Sequence, residues 1–292
     1  MAPPKINRDV LAMEYGFALS VLNSHPELKR LFDKAVANTW DPSRFVAGLR
    51  GTKWFKQTSD TARQWTMLKA SDPATARRKT AEHRASLRDS AAALGVTLSK
   101  GQLDKMTNNA IMFGWTTDQT RDSIAKYYDY SASTPQAGLA GQTVDKMKEI
   151  SHNYLVPISN ATIDSWTRKT LAGSATVADY EEYAKKQAVS LFPTMKDAIN
   201  GGMTVQEYVD PYRQVAASQL EINPAEIDFM DPKWRASIET VDPATGKRAP
   251  MSLGDWTNTV KSDPVYGWDK TNKAAGEAAA FTTKLAGMFG MV

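Results

Sequence analysis

The chain has 292 residues, of which 36 are Lys or Arg and 32 are Asp or Glu, giving a net charge of +4 with 23% charged, 42% hydrophobic and no cysteine. This composition excludes a disordered chain, a disulfide scaffold, a thiolate nucleophile and any zinc site built on Cys. At roughly 150 residues per domain the length accommodates about two cores. The longest uncharged stretch, Tyr130 to Val144, is rich in Ser, Thr, Gln and Gly, whereas a membrane span needs about 18 apolar residues or more; no transmembrane segment is expected. Arg8, Asp9 and Glu14 interrupt the first turns, so no signal peptide is expected either, and the protein should act in the compartment where it is made or leave by another route.

In chain order, the punctuation predicts helices almost throughout. Ser24-x-x-Glu27 reads as a capping box ahead of Leu28, Leu31 and Phe32, and Leu19 and Leu22 precede it at helical spacing. Asp41-Pro42 suits an N-cap followed by the first helical position, because Asp accepts free amides and Pro has none to lose. Asp-Pro recurs at 72–73, 210–211, 231–232, 242–243 and 263–264, and several of these should open helices. From Arg44 to Arg88 there are 11 basic and 3 acidic residues, a local +8 that leaves −4 for the remainder. Within it, Arg77, Arg84 and Arg88 fall at steps of seven and four on an Ala-rich helix running from Asp72-Pro73, and Phe45, Trp54, Phe55 and Trp65 lie among the preceding charges. Arg and Lys can neutralise phosphates and exposed aromatics can stack on bases, which makes this segment the candidate polyanion contact. The competing reading is a solvated helix face with Trp54 and Trp65 in the core.

Capping boxes at Ser99-x-x-Gln102 and Thr116-x-x-Gln119 open the next helices, with Leu103, Met106, Ile111, Met112, Ile124, Tyr127 and Tyr128 as their apolar stripes. Residues 131–145 have a linker-like composition, so the expected organisation is an N-terminal helical region (1–130), this segment, and a C-terminal helical region (146–292). Thr204-x-x-Glu207 is a further box. Strand signals are confined to residues 239–250, where Asp242-Pro243 can start a type I turn and Gly246 can take positive φ. The predicted fold is therefore all-α, an irregular multi-helix architecture of helical hairpins with at most one short β-hairpin. Two internal echoes, Phe45-x-x-x-Leu49-x-x-Thr52 with Trp256-x-x-x-Val260-x-x-Asp263 and Thr176-Val-Ala-Asp-Tyr180 with Thr204-Val-Gln-Glu-Tyr208, read as recurring hairpin grammar and not as a solenoid.

Catalytic constellations are sparse. His25, His83 and His152 lack metal-helix spacing, and neither a Gly-x-Ser-x-Gly elbow nor a Gly-x-x-x-x-Gly-Lys-Ser/Thr loop occurs. No catalytic residue, metal or cofactor is assigned. A cell-wall lytic enzyme would need a buried Glu of raised pKa; Glu14, Glu149 and Glu182 are the acids nearest to apolar neighbours. Trp54, Phe55, Tyr266 and Trp268 read as packing residues at hairpin corners. Phe281, Leu285, Met288 and Phe289 share a face of the terminal helix, and form the candidate interface.

Leu191-Phe-Pro193, Gly202 through Tyr212, Leu220-Glu-Ile222, Leu253-x-x-Trp256 and Asp263-Pro-Val-Tyr266-Gly-Trp268 through Met288-Phe-Gly290 resemble helical internal or tail-associated virion proteins of tailed bacteriophages. Leu49-x-x-Thr52-x-Trp54-Phe55 is similar to an N-terminal element of the same proteins. The resemblance covers about half the chain and carries over no catalytic residue. It implies a non-enzymatic structural protein, made in the host cytoplasm and present in the virion in several copies, tail-associated or internal and ejected with the DNA. Its partners would be other virion proteins and copies of itself. A nucleic-acid-binding protein using 44–88 is the first alternative, and a muralytic enzyme the second.

Overall fold

The computed structural model describes residues 7–131, 136–241 and 245–288. It is all-α, 74% helical, and the described residues form one two-stranded sheet. Two compact units divide the chain: Met1–Gln142 with Thr167–Ser174, and Thr143–Trp166 with Ala175–Val292.

The first unit opens with five short helices, α1 (Arg8–Glu14), α2 (Leu19–Ser24), α3 (Pro26–Ala37), α4 (Pro42–Gly51) and α5 (Lys53–Gln57). They gather around an aromatic centre in which Tyr15 stacks on Phe45 at 4.4 Å and meets Phe32 edge-on at 6.2 Å. Asp41 caps α4 as its sequence suggests, accepting the Arg44 N–H at 3.0 Å with Pro42 in the first helical position. The Ser24-x-x-Glu27 box does not form. Ser24 ends α2 and donates to the Val21 carbonyl, while the Glu27 carboxylate accepts the Lys53 and Trp54 N–H groups at 3.0 and 3.1 Å. Glu27 thus caps α5, a helix 26 residues further along, and those two backbone donors hold its carboxyl below the ordinary Glu range.

Helices α6 (Asp60–Ser71), α7 (Pro73–Leu94), α8 (Lys100–Phe113) and α9 (Thr117–Ala125) complete this unit's long elements. The boxes at Ser99 and Thr116 both close as reciprocal pairs. Leu87, Leu94, Leu103, Met106, Ile124 and Tyr128 form the core between α7, α8 and α9.

The linker-like composition of 131–145 has a different physical meaning from 138 onward. Helix α10 (Gly138–Asn153) starts inside the segment and buries Ala140, Thr143 and Val144. Its small residues serve close approach: a Cβ on Gly138 would lie 2.5 Å from the Ala93 carbonyl oxygen, and one on Gly95 would lie 1.9 Å from that of Ala137. Gly95 also ends α7 in the left-handed conformation at φ 77°. Gly95→Ala therefore meets both a backbone clash and a positive φ, and it is expected to lower stability by more than about 2 kcal/mol. A thermal melt in which this variant matched the parent would refute the close approach.

The second unit takes the remainder of α10 and part of α11 (Asn160–Ala172), then α12 (Val177–Leu191), α13 (Lys196–Asn200), α14 (Val205–Leu220), α15 (Pro232–Arg235), α16 (Leu253–Ser262) and α17 (Asn272–Met288). Its centre is Trp256, fully buried on α16, with Phe192, Met195, Val209 and Phe229 in the same core. The indole N–H of Trp256 donates to the Tyr212 carbonyl at 3.0 Å, and the Tyr212 hydroxyl donates to the Met251 carbonyl at 2.8 Å, tying α14 to α16 from both sides.

Asp210-Pro211 is not a helix start. Pro211 sits inside α14, where it lacks an N–H for the preceding turn. The buried face of Val205, Val209, Tyr212, Ala216, Ala217 and Leu220 outweighs that cost of about 3 kcal/mol, since each large buried side chain contributes about 1.5–3 kcal/mol. Asp72, Asp231 and Asp263, by contrast, cap the helices that follow them. The hairpin pairs Thr240 with Ala249 and Val241 with Arg248, and Gly246 takes φ 64°. The Asp242-Pro243 turn lies outside the described residues.

Both internal echoes are matching helix starts and faces. Phe45 on α4 and Trp256 on α16 are each fully buried, followed one turn later by buried Leu49 and Val260 and then by the capping residues Thr52 and Asp263. In the other pair, the Thr176 N–H donates to Asp179 and that of Thr204 to Glu207, each at 2.7 Å.

Candidate functional site

Helix α17 is fixed at its root and free beyond it. The Asn272 N–H donates to the Glu221 carboxylate at 2.7 Å, the Lys273 ammonium reaches the Ser218 carbonyl and hydroxyl, and Glu277 pairs with Lys261. Ala274 is buried, yet every residue from 275 to 285 is exposed. Phe281 is 64% and Met288 75% exposed, with Leu285 on the same side at 36%. Phe289 lies outside the described residues. The Ala-rich sequence favours the helical form locally, whereas Thr282 and Thr283, whose hydroxyls donate back to Ala278 and Ala279, do not add to it. A projecting stretch this short gains most helical stability from packing, however, and on this unit it has no packing to gain from.

Helix α7 presents the basic residues unequally. Arg77 and Arg88 are exposed, with no ion pair among the described residues, whereas Arg78 faces Glu82 at 3.7 Å. Arg84 is a structural residue and not a free polyanion contact. Its guanidinium pairs with Asp104 of α8 at 3.0 Å and its Nε is buried without a partner. The step of seven and four brings Arg84 to the edge of the face buried by Ala76, Leu87 and Ala91, so it meets α8 where its neighbours meet water. The aromatics of the basic segment are likewise mostly engaged. Phe45 and Trp65 are buried, and Arg63 lies 3.9 Å over the Phe55 ring while donating to the Phe55 carbonyl at 2.7 Å.

Trp54 and Phe55, both half-buried, stand at the α4–α5 corner, and Trp54 packs against Phe17 and His25 at 6.1 and 5.8 Å. Tyr266 is buried between Trp234 and Trp256 at 5.5 and 5.3 Å, with its hydroxyl donating to the Lys233 carbonyl at 2.8 Å. Trp268 is half-buried under the Lys261 ammonium, 5.1 Å from its ring centre. Burial pushes the Tyr266 phenol up to about 12, with Asp263 and Asp231 adding to the shift. The folded state therefore holds this proton after the unfolded chain has lost it. The contribution to stability is complete below about pH 10 and falls as pH rises toward 12. An ultraviolet titration should show several phenols ionising above the ordinary value, since burial also raises Tyr15, Tyr154, Tyr180, Tyr208 and Tyr212, and Tyr266→Phe should remove a component near pH 12; ionisation of all ten tyrosines together near the ordinary value would contradict the burial.

A cleft of about 920 Å³ lies in the second unit between α10, α14 and the 224–230 loop. Arg213 forms its polar wall, paired with Asp210 at 3.2 Å, bonded to Gln206 and lying 5.5 Å from the Phe229 ring centre. Gln206 donates to the His152 carbonyl at 3.3 Å. Of this group the sequence marks His152 as a candidate metal ligand by residue type, and Asp210 reads there as a helix cap. Glu14, Glu149 and Glu182 are all exposed, and the latter two pair with Lys146 and Lys185, so none of them is the buried acid a glycosidase needs. Among the described residues no three potential metal ligands come together and no helix is long and apolar enough to cross a membrane. No family model, curated protein or solved structure matches this chain.

Proposed function

We propose that the protein is a non-enzymatic structural component of a tailed-bacteriophage virion, tail-associated or internal, that works by docking to other virion subunits through α17. The virion setting rests on the sequence resemblance. The docking role rests on one observation: a terminal helix exposed on all sides from 275 to 285 that carries Phe281, Leu285 and Met288 on one side. Its test is incorporation of a chain ending at residue 280 into particles, measured by mass spectrometry of purified virions.

A second reading, nucleic-acid binding, is favoured by the exposed Arg77 and Arg88 on α7. Each phosphate contact adds close to one to the slope of log affinity against log salt concentration. On this reading Arg77→Ala with Arg88→Ala should reduce the slope for duplex DNA by about 2. Identical slopes for parent and variant would end it.

A further inference from the structure

We infer that the cleft of the second unit binds a small molecule carrying one carboxylate on an apolar body, with the Arg213 guanidinium as its anchor. The volume, about 920 Å³, is that of a small-molecule pocket. Its two kinds of lining are segregated by element. Helix α14 contributes Gln206, Asp210 and Arg213, whereas the segment after α10 and the 224–230 loop contribute Leu155, Val156, Ile158 and Met230. A ligand charged at one end and apolar at the other matches that division.

The carboxylate is selected by what Arg213 lacks. Its side chain is only 15% exposed, yet its one ion pair is a single contact with Asp210, whose side chain is 51% exposed. An exposed pair of this kind contributes little, and a covered guanidinium needs hydrogen-bonded counter-charge. Asp210 takes one hydrogen of Nη1 and Gln206 one of Nη2, while the Nε–H and the second hydrogen on each terminal nitrogen meet no acceptor among the described residues. Those are the donors with which Arg grips a carboxylate. Asp228, the other acid of the lining, is committed to the Met230 N–H at 2.8 Å, and Lys148 and His152 add basic groups to the same cleft.

The apolar side is kept at a conformational cost. Leu155 ends α10 at φ 50°, with the Val156 N–H donating to the Ser151 carbonyl at 2.9 Å, a left-handed position where glycine is the usual residue. Glycine would relieve the strain and take the apolar side chain out of the lining, and the chain carries leucine there.

The test is calorimetric titration of the full-length chain with octanoate, with 1-octanol and acetate as controls that each carry one of the two features. Octanoate should bind about tenfold or more tighter than either. Arg213→Gln should weaken octanoate by about tenfold or more, whereas Asp210→Asn, which removes the competing carboxylate from an exposed position, should tighten it. A merely structural Arg213 predicts no such tightening, and if Arg213→Gln fails to fold, the Asp210→Asn result alone decides. Methyl resonances of Leu155, Ile158 and Met230 should shift as octanoate binds. Titration with N-acetyl-leucyl-leucine and with its amide separates the two sources of this chemistry: an acid tighter than octanoate assigns a peptide C-terminus, and the reverse order assigns a fatty carboxylate. Absence of both heat and shifts with octanoate, 1-octanol binding as tightly as octanoate, or an affinity that neither variant changes would overturn the carboxylate site.

Discussion

Trp256→Ala is expected to destabilise the second unit by about 3–5 kcal/mol through the cavity alone. The side chain is fully buried, meets Tyr266 edge-on at 5.3 Å, and its N–H satisfies the Tyr212 carbonyl within the interior of α14. Removing it takes away the second donor to that carbonyl, which keeps its helical partner within α14, an additional loss of about 0.5–1.5 kcal/mol. A domain stable by only 5–15 kcal/mol loses a large share of its margin. At a urea slope of about 2 kcal/mol per molar the unfolding midpoint should fall by about 2 M. Trp268→Ala is the informative comparison. Its ring is half-buried and its indole N–H has no partner, so truncation loses packing with Tyr266's neighbourhood but breaks no hydrogen bond, and the smaller shift should belong to it. Equal shifts for the two tryptophans would show that burial on α16 is not what organises this unit.

The contrast between these tryptophans also marks what the sequence could and could not reveal. Four-residue signals were legible where both partners belong to one helix turn: Ser99 with Gln102, Thr116 with Gln119 and Thr204 with Glu207 close as their spacing predicts. Thr176 with Asp179 forms the same box using a shorter acid, outside the usual Glu or Gln pattern although the Thr-Val-x-x-Tyr echo points to it. Glu27 was misread because its partners, the Lys53 and Trp54 amides, are remote in sequence and backbone donors carry no residue signature. Gly138 and Gly141 read as linker residues since small side chains suit a flexible segment and a tight contact alike; only the proximity of α7 to Gly138 and of the Gln136 carbonyl to Gly141 separates the two. Composition likewise identifies a basic segment but not which arginine is engaged. Arg84 differs from Arg77 and Arg88 by the presence of Asp104 on a neighbouring helix, a fact fixed by packing. Similarly, Leu285 and Leu28 look equivalent in a helical pattern, yet one is exposed and the other wholly buried.

Removing residues 281–292 should abolish assembly while leaving the fold unchanged. The removed residues that the structure describes contribute to none of the buried clusters of the second unit, and the contacts that seat α17, from Asn272, Lys273, Ala274 and Glu277, all precede the cut. Surface changes of this kind usually alter stability by less than about 0.5 kcal/mol. Assembly has the opposite dependence. Desolvating Phe281, Leu285 and Met288 would contribute about 1.5–3 kcal/mol for each side chain fully covered, and all three go together in the truncation. Because Leu285 is already largely covered and association has its own costs, the net loss is on the order of a few kcal/mol, about a hundredfold in equilibrium constant, so a truncated chain should be strongly depleted from particles. The measurement is paired: a thermal melt of the truncated protein, and its copy number in virions relative to the parent. An unfolded truncation would place the stripe in the unit's own core and remove the basis for docking. A folded truncation incorporated at parental copy number would locate the assembly surface elsewhere, and the exposed basic residues of α7 are then the next to replace. Folded and excluded is the outcome that the proposed docking role predicts, because the described apolar residues beyond the root of α17 join no buried cluster of their own unit.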